Sequence, residues 1–394
     1  MSSDPIIIAG FARTPMASFQ GALSNVSTTE LGAAAIRAAV ERASASPSDI
    51  DRIYMGCVLS AGLGQAPARQ AALKAGLSNS VQATTVNKMC GSGMQAAIMA
   101  AEALAAGNAD LLVAGGMESM TNAPFLLAKH RSGARIGHDI VSDSLMTDGL
   151  EDAYERGKPM GAFAEDSASK YQLTRVAQET YSLLSLNRAK AAIANGAFDE
   201  EIAPVTVSAK NGATVVTEDE QPGKSNPERL ASLKPAFAKD GTITAATSAS
   251  ISDGAAALVL TRRSVAEVRG LAQQAVLVAA AAHAQAPALF TTAPVAAISK
   301  VLAKARWNIG DVDLFEVNEA FAVVALIAER DLGIPRDKLN VNGGATALGH
   351  PIGASGARIV ATLVAALKSR GLKRGVAALC IGGGEATAVA VECL

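Results

Sequence analysis

The chain has 394 residues, 35 basic and 36 acidic side chains and a formal charge of −1. Hydrophobic residues make up 49% and charged residues 18%, which supplies a sizeable core and excludes a disordered chain. The balanced charge excludes a general nucleic-acid binder, because no surplus of Lys and Arg is present to neutralise phosphates.

The apolar run Ile6–Ala9 predicts a buried strand. Ser27-Thr-Thr-Glu30 has capping-box spacing, so a helix starts there. Arg52–Val58 and Gln82–Val86 read as strands, and the second runs into Asn87-Lys-Met-Cys90-Gly-Ser-Gly93. A small-residue helix then spans about Met94–Ala106, and another strand begins at Asp110. Strands alternating with helices predict an α/β fold with a mostly parallel sheet.

The order recurs later in the chain. Ser48-Asp-Ile-Asp matches Gly310-Asp-Val-Asp, Cys90-Gly-Ser-Gly matches Gly353-Ala-Ser-Gly356, and Gly115-Gly-Met-Glu matches Gly382-Gly-Gly-Glu. The offsets are 262, 263 and 267 positions. Two similar halves are therefore expected: 1–120, completed by about 245–270, and 271–394. The middle, 121–250, breaks the pattern with loop chemistry such as Asp219-Glu-Gln-Pro-Gly-Lys224. One clear helix lies inside it, Arg175–Ala194, capped by Thr174. An insertion of this size is expected to cover one half as a lid or binding subdomain.

Cys90 sits at a helix start, where free N–H groups and the helix dipole favour a thiolate. Position alone leaves it open between a nucleophile and a buried structural thiol. His350 lies in the glycine-dense stretch Gly343–Gly356 and is open between a base and a loop histidine bonded to backbone. Cys380 ends a strand before Gly382-Gly383-Gly384, as the repeat's counterpart of Val113. Asn318 reads as either a water-holding amide or a helix cap. Cys57 and Cys393 read as structural. His130, His138 and His283 show no metal-ligand spacing, so no metal site is expected. Dinucleotide, P-loop and serine-hydrolase motifs are absent.

Four of these blocks, Asn87-Lys-Met-Cys90-Gly-Ser-Gly, Asn318-Glu-Ala-Phe321, Gly349-His-Pro-Ile-Gly-Ala-Ser-Gly and Cys380-Ile-Gly-Gly-Gly, resemble the thiolase family in family order. The resemblance covers nearly the whole chain. It implies duplicated βαβαβ halves layered α-β-α-β-α, with an inserted loop domain. It also implies coenzyme A thioesters as substrates and no metal or redox cofactor. Cys90 is then the acyl-accepting nucleophile, His350 its base, and Cys380 the acid/base at the acetyl methyl group. The implied oxyanion sites are His350 with a water on Asn318, and the N–H groups of Cys90 and Gly382.

By the same resemblance Met160, Phe237, Ala320 and Phe321 line the pantetheine and acyl pocket. Lys224 is a candidate for the nucleotide phosphates. Two positions depart from the family: Lys158-Pro159 replaces its common Tyr-His, and Ala249 replaces the serine that meets pantetheine, with Ser248 or Ser250 as substitutes.

The implied reaction is 2 acetyl-CoA to acetoacetyl-CoA and CoA, with longer 3-oxoacyl-CoA cleavage as the alternative. A non-catalytic coenzyme A-binding homologue is the alternative of another class. The resemblance further implies a homodimer or homotetramer. No charge-free apolar run of 18 residues predicts a membrane span, Met1-Ser-Ser-Asp-Pro5 lacks a basic signal region, and four cysteines are too few for a disulfide scaffold. A cytoplasmic protein is therefore expected.

Overall fold

The computed structural model describes residues 4–209 and 212–394. Its centre is a ten-stranded sheet. The strands run in the spatial order Leu314–Val317, Arg374–Ile381, Glu385–Cys393, Ala275–Ala284, Ile6–Arg13, Ser252–Arg262, Leu111–Ser119, Arg52–Gly56, Gln82–Val86. The short Ala17–Ser18 strand pairs with Ser252–Arg262. The two halves of this array meet at its middle through two residue pairs, Ile7 with Val276 and Ile8 with Ala275. Outward from that joint each half repeats one order: its first strand, its last, then the inner strands.

Burial follows from where the helices lie. Thr28–Arg42 and Pro67–Lys74 pack on the outer face of the N-terminal half, burying Leu31, Ile36 and Ala71 against Ile53 and Val113. Ala293–Ala305 and Ala322–Leu332 do the same for the C-terminal half. Ser92–Ala105 and Ile352–Ser369 fill the middle, sharing one core with residues of both sheet halves, such as Leu258 and Leu379. The result is five layers, helix–sheet–helix–sheet–helix. Ile352–Ser369 is long and apolar enough to cross a membrane, yet 89% of it is buried inside the protein. Its partner helix crosses it backbone to backbone: a side chain at Gly93 would meet Ala357 N at 2.8 Å, and one at Gly356 would strike Met94 N.

The capping box at Ser27 and Glu30 is formed, and Thr174 accepts from Ala177 N at the start of Arg175–Ala194. Three expectations change. The sheet is not mostly parallel: only the pairs built around Arg52–Gly56 and Leu314–Val317 are parallel. The last strand of each half returns antiparallel, and in the C-terminal half a three-glycine turn allows no crossover helix.

The 267-residue match also fails. Asp51 accepts from Asp110 N and Leu111 N, and Asp313 accepts from Lys373 N and Arg374 N. These equivalent clamps align Leu111 with Arg374, so Met117, not Val113, occupies the place of Cys380. Gly115 and Gly116 lie inside a strand, where side chains would strike Ala256 O and Gly353 O. Gly383 and Gly384 instead form a turn, with φ of +94° and +85°.

Finally, the inserted segment touches both halves rather than one. Val205 and Val207 join the N-terminal outer core, while Phe163 and Tyr181 join the C-terminal one. A buried ion group fixes it to the first strand: Arg13 donates to Glu201 Oε1 at 2.5 Å and to both oxygens of Asp219 at 2.7 and 2.8 Å.

Candidate active site

The turn that carries Cys90 is built by local strain and a cap. Met89 has φ of +47°, a conformation uncommon for a residue with a side chain. Ser92 Oγ holds the turn by accepting from Lys88 N at 2.8 Å and donating to Met89 O at 2.6 Å. Cys90 is thereby set just ahead of Gly91, the N-cap of Ser92–Ala105. That helix begins two residues earlier than the apolar pattern predicts, because Ser92 serves as turn cap and first helical residue at once.

Cys90 keeps part of its surface exposed, but its sulfur is surrounded by protein. Burial pushes its thiol up to about 11, against hydrogen bonds from Gly382 N–H and its own N–H that favour the thiolate. Cys380 is buried at the end of Arg374–Ile381, and burial plus the adjacent Cys90 push it well above the ordinary thiol range. The helix start therefore does not leave either resting thiol ionised. Desolvation outweighs the dipole.

His350 is also buried, and burial followed by the field of Arg358 lowers it to about 3. The ring is a neutral base. Its Nδ1 lies 2.6 Å from Ser355 Oγ, which donates to Pro351 O at 2.9 Å. The hydroxyl proton being used, Nδ1–H donates to Ser355 and Nε2 carries the lone pair. Asn318 Nδ2 is 3.5 Å from the imidazole nitrogens, and Arg358 Nη2 donates to Asn318 Oδ1 at 3.4 Å. The amide is thus oriented with its NH2 toward the histidine.

Ser355 and Arg358 were not singled out from sequence. Arg358 had a signal: it is a lone charge in the otherwise apolar middle of Ile352–Ser369. Glu319, beside Asn318, is fully buried and accepts from Tyr181 OH, Ser185 Oγ, Asn340 Nδ2 and Thr346 Oγ1 at 2.6–2.9 Å. It fastens the Arg175–Ala194 helix to the loop leading to His350. Glu118 accepts from Val58 N, Leu59 N and Gly353 N at 2.8–3.1 Å, joining the segment after strand Arg52–Gly56 to the first turn of the helix that follows His350. Burial raises it to about 7, against those three donors.

The predicted binding residues separate into two groups. Lys224, Ser248 and Ser250 line a cleft of about 310 Å³ together with Arg229, Leu233 and Thr346. Its inner end abuts the histidine loop, since His350 N donates to Ser250 O at 3.1 Å. Lys224 is paired with Glu220 at 2.5 Å. Ser248 donates to Thr244 O at 2.9 Å, and Ser250 Oγ lies 3.2 Å from Ser252 Oγ.

Met160, Phe237 and Phe321 form the second group, an apolar wall. The rings of Phe237 and Phe321 meet edge to face at 5.7 Å, and Met160 faces Gly382. Ala249 N donates to Ala320 O at 2.9 Å, which joins the two groups. At the departure positions, Lys158 Nζ lies 3.9 Å above the Phe163 ring, and Pro159 caps the Met160–Lys170 helix. Among the described residues no cluster of three His, Cys, Asp or Glu side chains could hold a metal ion.

Residues 6–264 match the thiolase N-terminal domain and 271–393 the thiolase C-terminal domain. The chain is 50% identical to acetyl-CoA acetyltransferase 2 of Arabidopsis thaliana, over 99% of this chain and 97% of that protein. It is 47% identical to the acetyl-CoA acetyltransferase of Escherichia coli, over 98% of each. The Acat5 thiolase of Ascaris suum, solved in complex with coenzyme A, aligns with a TM-score of 0.94 at 42% identity, over 99% of this chain and 100% of that one. The Bacillus anthracis acetyl-CoA acetyltransferase aligns with a TM-score of 0.96 at 38% identity, over 99% of each. With both halves matched end to end and the layered fold shared, the chain belongs to the thiolase family.

Proposed function

We propose that the chain is an acyltransferase that interconverts two acetyl-CoA with acetoacetyl-CoA and CoA through an acyl-enzyme on Cys90. The observation that carries this reading is the convergence of two backbone N–H groups, those of Cys90 and Gly382, on the Cys90 sulfur, with the Cys380 thiol beside it. Such donors stabilise an oxygen that becomes anionic at the carbon under attack.

The resting charges define the proton path. Neutral His350 takes the Cys90 proton through Nε2 as the sulfur attacks the acetyl carbonyl. The tetrahedral intermediate collapses, breaking the bond to the CoA sulfur. The departing CoA thiolate takes its proton from Cys380, leaving imidazolium and the Cys380 thiolate as a balanced pair. That pairing answers the high thiol range of Cys380: its thiolate forms only with a cation nearby. Cys380 then removes a proton from the methyl group of a second acetyl-CoA. The enolate oxygen faces imidazolium and a water held by Asn318. Its carbon attacks the Cys90 thioester, whose oxygen rests between the Cys90 and Gly382 N–H groups. The carbon–carbon bond forms, Cys90 leaves as thiolate, and His350 returns its proton. Thiolysis is the same path reversed.

The 310 Å³ cleft, rimmed by Lys224 and Arg229, is assigned to the coenzyme A moiety, with the 121–250 segment as its binding region. The wall of Met160, Phe237 and Phe321 favours a short acyl group over longer 3-oxoacyl chains. The mouse relative is named as a cytosolic acetyl-CoA acetyltransferase, and cytoplasm is the compartment proposed here, with a homodimer or homotetramer as the assembly. The deciding experiment is intact-protein mass spectrometry with peptide mapping after acetyl-CoA. An acetyl group on Cys90 that free CoA removes supports the reading. A folded protein that binds CoA and forms no adduct overturns it in favour of a non-catalytic binder.

A further inference from the structure

The two donors assigned to the thioester oxygen come from different halves of the chain. The N–H of Cys90 belongs to the strained turn before Ser92–Ala105, and that of Gly382 to the glycine turn before Glu385–Cys393. The strands leading into the two turns, Gln82–Val86 and Arg374–Ile381, are not neighbours in the sheet, so no direct strand pairing sets their separation. One ion pair spans the gap: Lys88 Nζ to Glu385 Oε2, with side chains 24% and 35% exposed. Glu385 is a fixed post, held in the sheet opposite both Ile381 and Ala284. Lys88 is on the opposite side, in the turn that Ser92 caps. The other ties between the two turns are the hydrogen bond from Gly382 N–H to the Cys90 sulfur and an apolar contact, Gly91 lying against Ile381.

We propose that Lys88 and Glu385 are positioning residues that hold the Cys90 turn in register with the Gly382 turn and so set the spacing of the two N–H donors. An ion pair this exposed adds little to folding. Its effect lies in geometry, since an oxyanion donor acts only near hydrogen-bond distance and small displacements reduce rates steeply. The inference rests on the proposed acyl-enzyme reading.

The test compares Lys88→Met, Glu385→Gln and the charge exchange Lys88→Glu with Glu385→Lys. Two rates are measured at Cys90: acetylation by acetyl-CoA, and alkylation by iodoacetamide, which uses no oxyanion donor. Each single variant is expected to acetylate about tenfold more slowly, a fraction of the 10²–10³ lost when such a donor is removed outright. KM for acetyl-CoA stays within about twofold, and alkylation slows by less than acetylation does. The exchange variant regains most of the acetylation rate.

A purely local charge effect predicts otherwise. Glu385→Gln would then favour the Cys90 thiolate and accelerate both reactions, and the exchange, which puts a carboxylate near Cys90, would be slowest of all. Either result overturns the proposal, as do single variants that acetylate normally or lose only KM. If wild type takes no acetyl group from acetyl-CoA, the functional reading fails. p-Nitrophenyl acetate then replaces it as donor, and the same ranking of variants decides the positioning role separately.

Discussion

The Nδ1 atom of His350 and the hydroxyl of Ser355 are 2.6 Å apart, and the hydroxyl proton is already given to Pro351 O. The helix that follows His350 therefore also fixes its tautomer, leaving Nε2 free to receive the thiol proton in the proposed mechanism. Ser355→Ala removes the acceptor that selects this tautomer. It is expected to lower kcat at least about tenfold with KM for acetyl-CoA unchanged, read from steady-state condensation rates. An unchanged kcat would show that the imidazole is held by its other contacts.

The two thiols should separate by chemistry. Cys90→Ala is expected to take no acetyl group. Cys380→Ala should still be acetylated but should complete condensation about 10²–10⁴-fold more slowly, the usual range for losing a positioned proton carrier. Mass spectrometry of the adduct followed by acetoacetyl-CoA assay reads both. Normal turnover by Cys380→Ala would remove it from the mechanism.

Acid stability follows from His350. Its folded value, about 3, lies below the ordinary 6.5, so the unfolded chain takes up a proton that the folded one refuses. This depressed group contributes stability that is present above about 6.5 and is lost as pH falls from there toward 3. Between pH 7 and 5 the loss is about 2 kcal/mol. His350→Gln, which cannot titrate, should show a correspondingly shallower decline in urea midpoint over that range. Equal slopes would contradict the burial argument.

Glu319 should matter to stability out of proportion to its single charge. It is the shared acceptor for Tyr181, Ser185, Asn340 and Thr346. Glu319→Ala strands these buried donors and is expected to cost about 3–5 kcal/mol. Tyr181→Phe, which removes one donor, should cost about 1–2 kcal/mol. Hydrogen exchange should report faster opening of the Arg175–Ala194 helix in both, with Ser92–Ala105 unaffected. Uniform acceleration across the chain would mean that Glu319 acts on global folding instead.

Much of this architecture is visible in the sequence because function and fold use the same glycine-rich turns. Cys90, Asn318, His350 and Cys380 each end a strand or open a helix, and the structure gathers those turns in one place. What escaped has physical reasons. Gly115-Gly-Met-Glu and Gly382-Gly-Gly-Glu share letters but not cause: one pair of glycines admits a neighbouring backbone, the other set bends the chain. Ser355 and Arg358 escaped because their partners, His350 Nδ1 and Asn318 Oδ1, are met only after folding. The Lys224 cluster was half visible: loop composition marked Lys224, while Arg229 reaches the same cleft through a turn that composition does not reveal. Val205 and Val207 alternate with Thr206 and Ser208 as a half-buried strand should, a pattern that ties the insertion to the N-terminal half.

The crossing of the two central helices at Gly93 and Gly356 has a further consequence. Cys90 precedes one helix and His350 the other, so in the proposed mechanism the width of that crossing also sets the reach of a proton transfer. A methyl group added at Gly356, which bears no reactive atom, would wedge against Met94 N and part the proposed nucleophile from its proposed base. Along this seam inert atoms carry the tolerance of a chemical step, and a substitution that looks like repacking behaves as a change of mechanism.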